Sequence, residues 1–137
     1  MILVDSNVWA YFFDANTKEH ARVKVALPRL LGESELLLPT VVQMEVVHYL
    51  VKRLGPEAGP AVDTFLAQSA EVEALTGGIT VEAAHLLVAQ HASGIGGRDA
   101  CLLVMAKRRD AAILTNDKTL ARVAKSMGTV VTNPVTS

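Results

Sequence analysis

The sequence predicts an α/β protein with a mainly parallel sheet, and three observations support this class. Short apolar segments of four or five residues alternate with longer segments of helical pattern along the chain, as in βαβ units. Three of the five short segments are almost entirely apolar, which is typical of strands covered on both faces. The 137 residues contain no linker, internal repeat or low-complexity segment, so we predict a single domain over residues 1–137.

The first strands and helices have recognisable boundaries. Residues 1–4 form an apolar strand, and a helix is expected after Ser6. A second helix over residues 18–31 ends at Gly32, and residues 35–38 form the next apolar strand. These elements predict the first βαβ unit of the sheet.

The segment VVQMEVVHYLV is rich in β-branched residues, yet its flanks predict a helix. Thr40 followed by Gln43 has the spacing of a capping box. The sequence KRLGP that ends the segment is a helix C-terminal signal, with basic residues before Gly and Pro.

The second half of the chain continues the alternation of helices and strands. The predicted elements, in chain order, are a helix over residues 60–68, a strand over 71–75, a helix capped by Thr80 and reaching His91, a helix from Asp99 to Arg109, a strand over 112–115, a helix from Asp117 to Met127 and a strand over 129–132.

Composition excludes a disordered chain and a membrane-spanning one. Half of the residues are hydrophobic and 20% are charged, as in globular proteins. No apolar run reaches the roughly 18 residues that a membrane span needs, and the first residues lack the pattern of a signal peptide. Cys101 is the only cysteine, so no intramolecular disulfide is possible and a packed thiol is expected. We therefore expect a cytoplasmic protein without a membrane partner.

The net charge of −1 at pH 7 does not by itself indicate a nucleic-acid partner. Neither does it exclude one. If four of the 14 acids were gathered in one metal site, the 13 Lys and Arg residues would exceed the acids that remain.

Two apolar segments end on a carboxylate: MILVD ends on Asp5, and AAILTND ends on Asp117. The carboxyl ends of parallel strands lie along one edge of the sheet, where ligands bind in such folds. Asp99 begins a predicted helix and Glu45 lies in the second turn of another, and helices that follow parallel strands start at that same edge. The four acids are therefore expected to converge.

Each acid also has a purely structural interpretation. An Asp at a helix start usually caps the helix, which applies to Asp5, Asp99 and Asp117. Glu45 is surrounded in sequence by apolar residues, and burying an unpaired carboxylate costs several kcal/mol. Glu45 is therefore expected to need a cation, a basic partner or a proton.

Clustered carboxylates would repel each other without a cation, and oxygen ligands suit Mg²⁺ or Mn²⁺. Zinc is disfavoured because Cys101 and the four histidines show no ligand spacing. Such a site can polarise a phosphodiester and activate water.

The series MILVDSNVW, VVQMEVVHYL, GGRDACLLVMA and ILTNDKTLA closely resembles the PIN domain, in particular its VapC-like toxin branch. The resemblance covers nearly the whole chain, with the motifs in the same order. It implies a three-layer α/β/α nuclease with a short, mainly parallel central sheet, which holds Mg²⁺ or Mn²⁺ and cleaves RNA. Its metal-binding and catalytic residues would be Asp5, Glu45, Asp99 and Asp117.

Several neighbouring polar residues are candidates for supporting roles. The resemblance places Thr115 and Asn116 beside the last acid, and we expect them, together with Ser6, to orient carboxylates or waters. The alternative for all three is turn and cap chemistry. Arg98 either meets an RNA phosphate or pairs with the acid that follows it, and Lys118 is expected near the active edge.

The resemblance also implies partners, namely an RNA substrate, a VapB-like antitoxin that holds the toxin inactive, and a second copy in a homodimer. The aromatic cluster Trp9, Tyr11, Phe12 and Phe13 either serves a partner surface or fills the core. Asp14, which matches no family motif, is expected to be a solvated turn acid.

Three functions remain open from the sequence. The first is a metal-dependent endoribonuclease acting as the toxin of a toxin–antitoxin pair. The second is a phosphatase with Asp5 as nucleophile, against which Asn7 stands at the place where that chemistry often has a second acid. The third is a binding module that keeps the fold for RNA or protein contact with little or no catalysis.

Overall fold

Five short parallel strands form the central sheet, in the order β3-β2-β1-β4-β5. The computed structural model describes residues 1–136. The strands are β1 (Ile2–Val4), β2 (Leu36–Pro39), β3 (Glu71–Glu73), β4 (Ala112–Leu114) and β5 (Val131–Thr132). From β1 the chain first builds outward to β3 and then returns to add β4 on the other side of β1. The order of strands therefore switches between β1 and β4, which is where ligands bind in open α/β sheets.

Helices cover both faces of the sheet. They are α1 (Ser6–Phe13), α2 (His20–Gly32), α3 (Thr40–Leu54), α4 (Ala58–Leu66), α5 (Gly77–Ala89), α6 (Gly97–Arg108) and α7 (Lys118–Ser126), with a single 3₁₀ turn at Gly55–Glu57. Helices α1 to α4 pack together on one side, and α5 packs against α6 on the other, as right-handed crossovers require. The predicted three-layer α/β/α architecture is confirmed.

The core lies on both sides of the three central strands, where Leu3, Leu37 and Ile113 are fully buried. The aromatic cluster belongs to this core. Trp9 is fully buried and meets Phe65 of α4 edge to face, with ring centroids 5.1 Å apart. The rings of Phe12 and Phe13 pack on Trp9, so the core interpretation of this cluster is correct.

Two predicted helix caps are wrong, although the helices exist. The cap of α5 is Thr76, whose Oγ1 accepts a hydrogen bond from the Ile79 amide at 3.3 Å, while Thr80 lies inside the helix and donates to the Gly77 carbonyl. Thr40 is the first helical residue of α3 rather than its cap, and its hydroxyl accepts from the Leu75 amide at 3.3 Å.

The start of α6 differs in a smaller way. The helix begins at Gly97, two residues before Asp99, and its N-cap residue is Gly96. Asp99 therefore lies in the first turn instead of opening the helix, and its side chain is free of the capping role.

Asp14 is not the solvated acid that the sequence suggested. Its side chain is only 1% exposed, and it accepts hydrogen bonds from the Tyr49 hydroxyl at 2.8 Å and the Asn16 amide at 3.0 Å. Arg53 approaches the same carboxylate at 3.4 Å. The Tyr49 hydrogen bond lowers the pKa of Asp14 below its usual range, in spite of burial, which acts in the other direction. Asp14 thus ties the end of α1 to α3.

No helix in the described part of the chain combines the length and apolar character that a membrane crossing needs.

The charge of Asp14 is expected to stabilise the fold. Asp14→Asn should lower the free energy of unfolding at pH 7 by about 1–3 kcal/mol, as for other hydrogen bonds to a charged group, measured by urea denaturation. Because the pKa of Asp14 is lower in the folded chain than in the unfolded one, this contribution is present above the unfolded pKa and is lost as the pH falls below about 4. Asp63→Asn, at an exposed position of α4, is the matched control. Equal stability of Asp14→Asn and the wild type at pH 7 would contradict this role.

Candidate functional site

Asp5 lies where β1 ends and α1 begins, and its carboxylate is held from several sides. As the N-cap residue of α1 it accepts from the Ser6 amide at 2.8 Å through Oδ1. Its Oδ2 accepts from the Thr115 hydroxyl at 2.7 Å. The backbone amide of Asp5 donates to the Leu114 carbonyl of β4 at 2.9 Å, so the residue is fixed at the switch in strand order. Its side chain is only 2% exposed.

Asp117 caps α7 just beyond β4. Its Oδ1 accepts from the amides of Thr119 at 2.9 Å and Leu120 at 3.1 Å, so the capping interpretation is correct. Both bonds are made by Oδ1, and the cap therefore leaves Oδ2 for other contacts.

The remaining two acids meet Asp5 through one side chain, Arg98 of α6. Arg98 Nε lies 2.8 and 2.9 Å from the two carboxylate oxygens of Glu45, and Nη1 lies 3.0 Å from Asp99 Oδ1. Nη2 lies 2.5 Å from Asp5 Oδ1 and 2.7 Å from Ser6 Oγ. Arg98 thus pairs with three acids rather than with Asp99 alone, and all three of its side-chain nitrogens are engaged.

These charges perturb one another. Burial alone would lower the pKa of Arg98, but the carboxylates of Asp5 and Glu45 raise it above its ordinary value. The pKa of Asp99 is raised, mainly by burial, and the nearby charges of Asp117 and Asp5 add to the effect in spite of Arg98. Asp117 is therefore an electrostatic neighbour of the other acids. Three carboxylates face one guanidinium and Asp117 lies nearby, so the cluster keeps an excess of negative charge.

Glu45 is less buried than its sequence neighbours suggested. Helix α3 buries the stripe formed by Val42, Val46 and Leu50, whereas the side chain of Glu45 is 38% exposed. Of the three ways of satisfying this carboxylate that the sequence left open, the structure shows a basic partner, Arg98.

The three predicted supporting residues differ in their distance from the acids. The Ser6 hydroxyl contacts Arg98, and the Thr115 hydroxyl, which is buried, donates to Asp5 and accepts from the Asp117 amide at 3.0 Å. Asn116 reaches no carboxylate. Its side chain donates to the Tyr11 hydroxyl at 3.2 Å and accepts from Asn133 at 2.9 Å.

Asn7 is a site residue that the sequence did not single out as one. Its Nδ2 lies 3.4 Å from Asp5 Oδ2 and 3.5 Å from Thr115 Oγ1, and its Oδ1 accepts from the Asn116 amide at 3.3 Å. The available signal was its position two residues after Asp5, in the first turn of the helix that Asp5 caps.

Lys118 begins α7 and is exposed. It lies beside Asp117 on the rim of a cavity of about 400 Å³, which Arg122 and Lys125 of the same helix also line. The spacing of these three basic residues places them on one face of α7.

The donor set of the acidic cluster fits Mg²⁺ or Mn²⁺ in chemistry and charge. The available ligands are carboxylate oxygens, which hard divalent cations prefer, and the place where three of them face each other already holds a positive group. The distances between these acids do not match those of a metal site. Among residues 1–136, no group of three or more His, Cys, Asp or Glu side chains is close enough together to hold a metal ion as it stands.

Comparison with known proteins gives a family and a set of similar folds. The sequence model of the PIN domain matches residues 2–126. No curated protein sequence matches significantly.

Three solved structures illustrate the similarity of fold. VapC20 of Mycobacterium tuberculosis, described as a toxin that cleaves the sarcin-ricin loop, has a TM-score of 0.74 at 20% identity, over 90% of this chain and 95% of that one. VapBC2 of Rickettsia felis, bound to a promoter DNA fragment, has a TM-score of 0.73 at 17% identity, over 97% and 98%. A toxin–antitoxin complex from Klebsiella pneumoniae has a TM-score of 0.69 at 16% identity, over 98% of each chain. At these identities the likeness shows a shared fold.

Proposed function

The chain belongs to the PIN domain family, as its four motifs predict, and from this premise we propose that it is a metal-dependent endoribonuclease and the toxin of a toxin–antitoxin pair. The observation that carries the proposal is the acidic cluster at the switch in strand order, where Asp5, Glu45 and Asp99 surround the guanidinium of Arg98. The similarity of fold to a toxin described as cleaving the sarcin-ricin loop supports the proposal.

In the proposed reaction, water cleaves a phosphodiester of RNA. Asp5, Glu45, Asp99 and Asp117 would hold Mg²⁺ or Mn²⁺, which supplies water activation and neutralises charge that develops on the phosphate. The carboxylates also accept the proton that the attacking water loses. By family resemblance, the bond to the 3′-oxygen breaks and this oxygen takes a proton from solvent, so that one product carries a 5′-phosphate and the other a 3′-hydroxyl.

The other polar residues keep this arrangement in place. Thr115 donates to Asp5 and accepts from the backbone of Asp117, so it fixes the distance between the acids that follow β1 and β4. Asn7 donates to both Asp5 and Thr115. Hydrogen bonds of this kind orient ligating carboxylates.

The two other functions are supported less well. A phosphatase needs Asp5 as a free nucleophile, but both of its carboxylate oxygens accept hydrogen bonds and the side chain is 2% exposed. A binding module is favoured by one observation, the absence of a closely spaced metal ligand set in residues 1–136. An RNA cleavage assay with Asp5→Asn distinguishes the binding module from the nuclease.

The basic face of α7 is the proposed contact for the RNA backbone. Lys118, Arg122 and Lys125 line the cavity that Asp117 borders, so phosphates bound there would lie next to the acids. Arg122 also donates to the Ser93 carbonyl at 2.5 Å, which leaves the two lysines as the more available cations.

The proposed surface for the antitoxin is the exposed apolar side of α3. Val41, Met44 and His48 line, together with Leu75 and Glu45, a cavity of about 460 Å³. Met44 is 62% exposed and Leu75 is 40% exposed, and exposed apolar surface rimmed by polar groups is typical of interaction sites. Because Glu45 belongs to both this cavity and the acidic cluster, an antitoxin segment seated there can bring a basic side chain to the acids. The compared complexes support a partner of this class.

We predict RNA cleavage that depends on metal and on the acids. Purified chain, freed of bound partner, should cleave members of a panel of structured and unstructured RNAs with Mg²⁺ or Mn²⁺ and not with EDTA. Asp5→Asn should lower the rate at least about a hundredfold, because a metal ion supplies several kcal/mol of transition-state stabilisation.

Asp63→Asn, prepared in the same way, is the control for contaminating nuclease and for loss of one acid elsewhere. Cleavage that persists in EDTA or in Asp5→Asn would contradict the proposal. Metal-dependent RNA binding without any product would instead favour the binding module.

Lys118→Gln is expected to weaken RNA binding mainly at low salt. Each lost contact with a single-stranded phosphate should reduce the slope of log K against log salt by about 0.7. Fluorescence anisotropy of a labelled single-stranded RNA in EDTA measures this without cleavage. Lys52→Gln, at the opposite end of α3 from the acids, is the control and should leave the slope unchanged. An unchanged slope in Lys118→Gln would argue against this contact.

If an antitoxin binds the exposed apolar side of α3, Met44→Glu should weaken inhibition by the antitoxin and leave the nuclease activity unchanged. The measurement is growth inhibition on expression, with and without co-expression of the reading frame adjacent to the gene, alongside Val25→Glu as a control at an exposed apolar site on α2. Relief of inhibition in Met44→Glu equal to that in the wild type would contradict the assignment.

The isolated chain, before addition of the partner, is expected to sediment as a homodimer.

A further inference from the structure

The guanidinium of Arg98 occupies the place where a divalent cation would have to bind. We propose that Arg98 is a built-in counter-cation that competes with the metal, so that Mg²⁺ or Mn²⁺ enters the acidic cluster only when the Arg98 side chain withdraws. This inference rests on the proposed function, because it takes the same acids as the metal ligands.

The contacts of Arg98 show how completely it fills this place. Its three nitrogens reach Glu45, Asp99 and Asp5 at 2.5 to 3.0 Å, and no two of these acids share a nitrogen. Each acid is therefore held at a different point on the planar fork of the guanidinium.

The spacing of the acids fits a guanidinium and not a metal ion. Oxygen ligands lie about 2.1 Å from a single Mg²⁺ centre, whereas here the oxygens meet separate nitrogen atoms. This explains why no group of three acidic or other metal-ligating side chains in the described residues is close enough together for a metal. Metal binding then needs two changes, the departure of the guanidinium and the inward movement of the acids.

The charges allow such an exchange. Arg98 neutralises only one of the negative charges of Asp5, Glu45 and Asp99, and Asp117 lies nearby. The cluster therefore still attracts a divalent cation, which would neutralise it better than one arginine does.

A path for the arginine is present as well. The side chain of Arg98 is 29% exposed and that of Glu45 is 38% exposed, so the guanidinium can reach water by rotating about its own side-chain bonds. Asp5, at 2% exposed, cannot move away in the same manner. Arg98 and Glu45 can therefore change their side-chain positions, while Asp5 stays in place.

The competing interpretation is that Arg98 holds the acids in the geometry that the metal needs. The two interpretations predict opposite changes in metal affinity when the charge of Arg98 is removed. If Arg98 competes with the metal, removal of its charge strengthens metal binding. If Arg98 positions the ligands, the same change weakens metal binding.

The test is Mn²⁺ binding by the RNA-free protein, followed by calorimetry and by the electron paramagnetic resonance signal of free Mn²⁺. We expect Arg98→Gln to bind Mn²⁺ at least about tenfold more tightly than the wild type, because the fraction of molecules with an open site limits the apparent affinity. Arg108→Gln is the matched control, since Arg108 lies at the far end of the same helix in a surface pair with Glu82, and its affinity should equal that of the wild type.

Thermal unfolding gives a second readout. In EDTA, Arg98→Gln should melt at a lower temperature than the wild type because its acids are left without a counter-charge, and saturating Mn²⁺ should remove most of the difference. If Arg98→Gln does not fold, Arg98→Lys serves instead, because a single ammonium cannot contact all three acids and should give a smaller gain in affinity.

The outcomes separate this inference from the proposed function. Mn²⁺ binding that Asp5→Asn abolishes, but that is equal or weaker in Arg98→Gln, would overturn the inference and leave the metal site intact. Absence of Asp5-dependent Mn²⁺ binding in both the wild type and Arg98→Gln would overturn the inference and the metal-dependent nuclease together.

Discussion

The constraint on which the site depends is the repulsion among carboxylates at one edge of a short sheet. Asp5 is almost fully buried, and a buried carboxylate without a partner would cost several kcal/mol. The chain meets this cost by placing Arg98 of α6 against Asp5, Glu45 and Asp99. The acids that are proposed to bind metal are thus also the groups through which Arg98 links α3 and α6 to the end of β1.

The strands make this arrangement possible because they are short and parallel. The register pairs Val4 of β1 with Leu114 of β4, so Asp5 lies beside Thr115, and Asp117 follows two residues later. The Thr115 hydroxyl joins the two acids, because it donates to the Asp5 carboxylate and accepts from the Asp117 amide. Asp99 lies in the first turn of α6 and Glu45 in the second turn of α3. Both helices begin at the same edge of the sheet. Asp5 and Asp117 are placed by a strand end and a helix cap, whereas Asp99 and Glu45 are placed by where α6 and α3 begin, and only the combination produces a site.

The sequence predicted the parts of this structure that depend on local pattern and on general topology. Apolar runs that end on Asp5 and Asp117 were sufficient to place both acids at the carboxyl edge, because parallel strands share one. The helix identity of α3 also followed from its flanks, in spite of its β-branched residues. The cap of α5 was harder, because Thr76 and Thr80 are both acceptable caps and two glycines at the helix start concealed the correct one.

The parts that the sequence did not predict depend on contacts between distant residues. Asp14 looked like an exposed turn residue, and only the packing of α3 against α1 brings Tyr49 and Arg53 to it. Likewise, Arg98 precedes Asp99 in sequence, so an RNA phosphate or the neighbouring acid was its expected partner, while its contacts with Asp5 and Glu45 span 93 and 53 residues. Contacts between residues this far apart in the chain cannot be read from residue type and spacing.

The most direct test of the account is anomalous diffraction from crystals of this protein grown with Mn²⁺. We expect a manganese peak within bonding distance, on the order of the 2.1 Å of Mg²⁺, of carboxylate oxygens of Asp5 and Asp99, with the Arg98 guanidinium turned away from them. If crystals grown at a high Mn²⁺ concentration show no peak at these acids, and Arg98 is still paired to Asp5, Glu45 and Asp99, the replacement of Arg98 by the metal is contradicted.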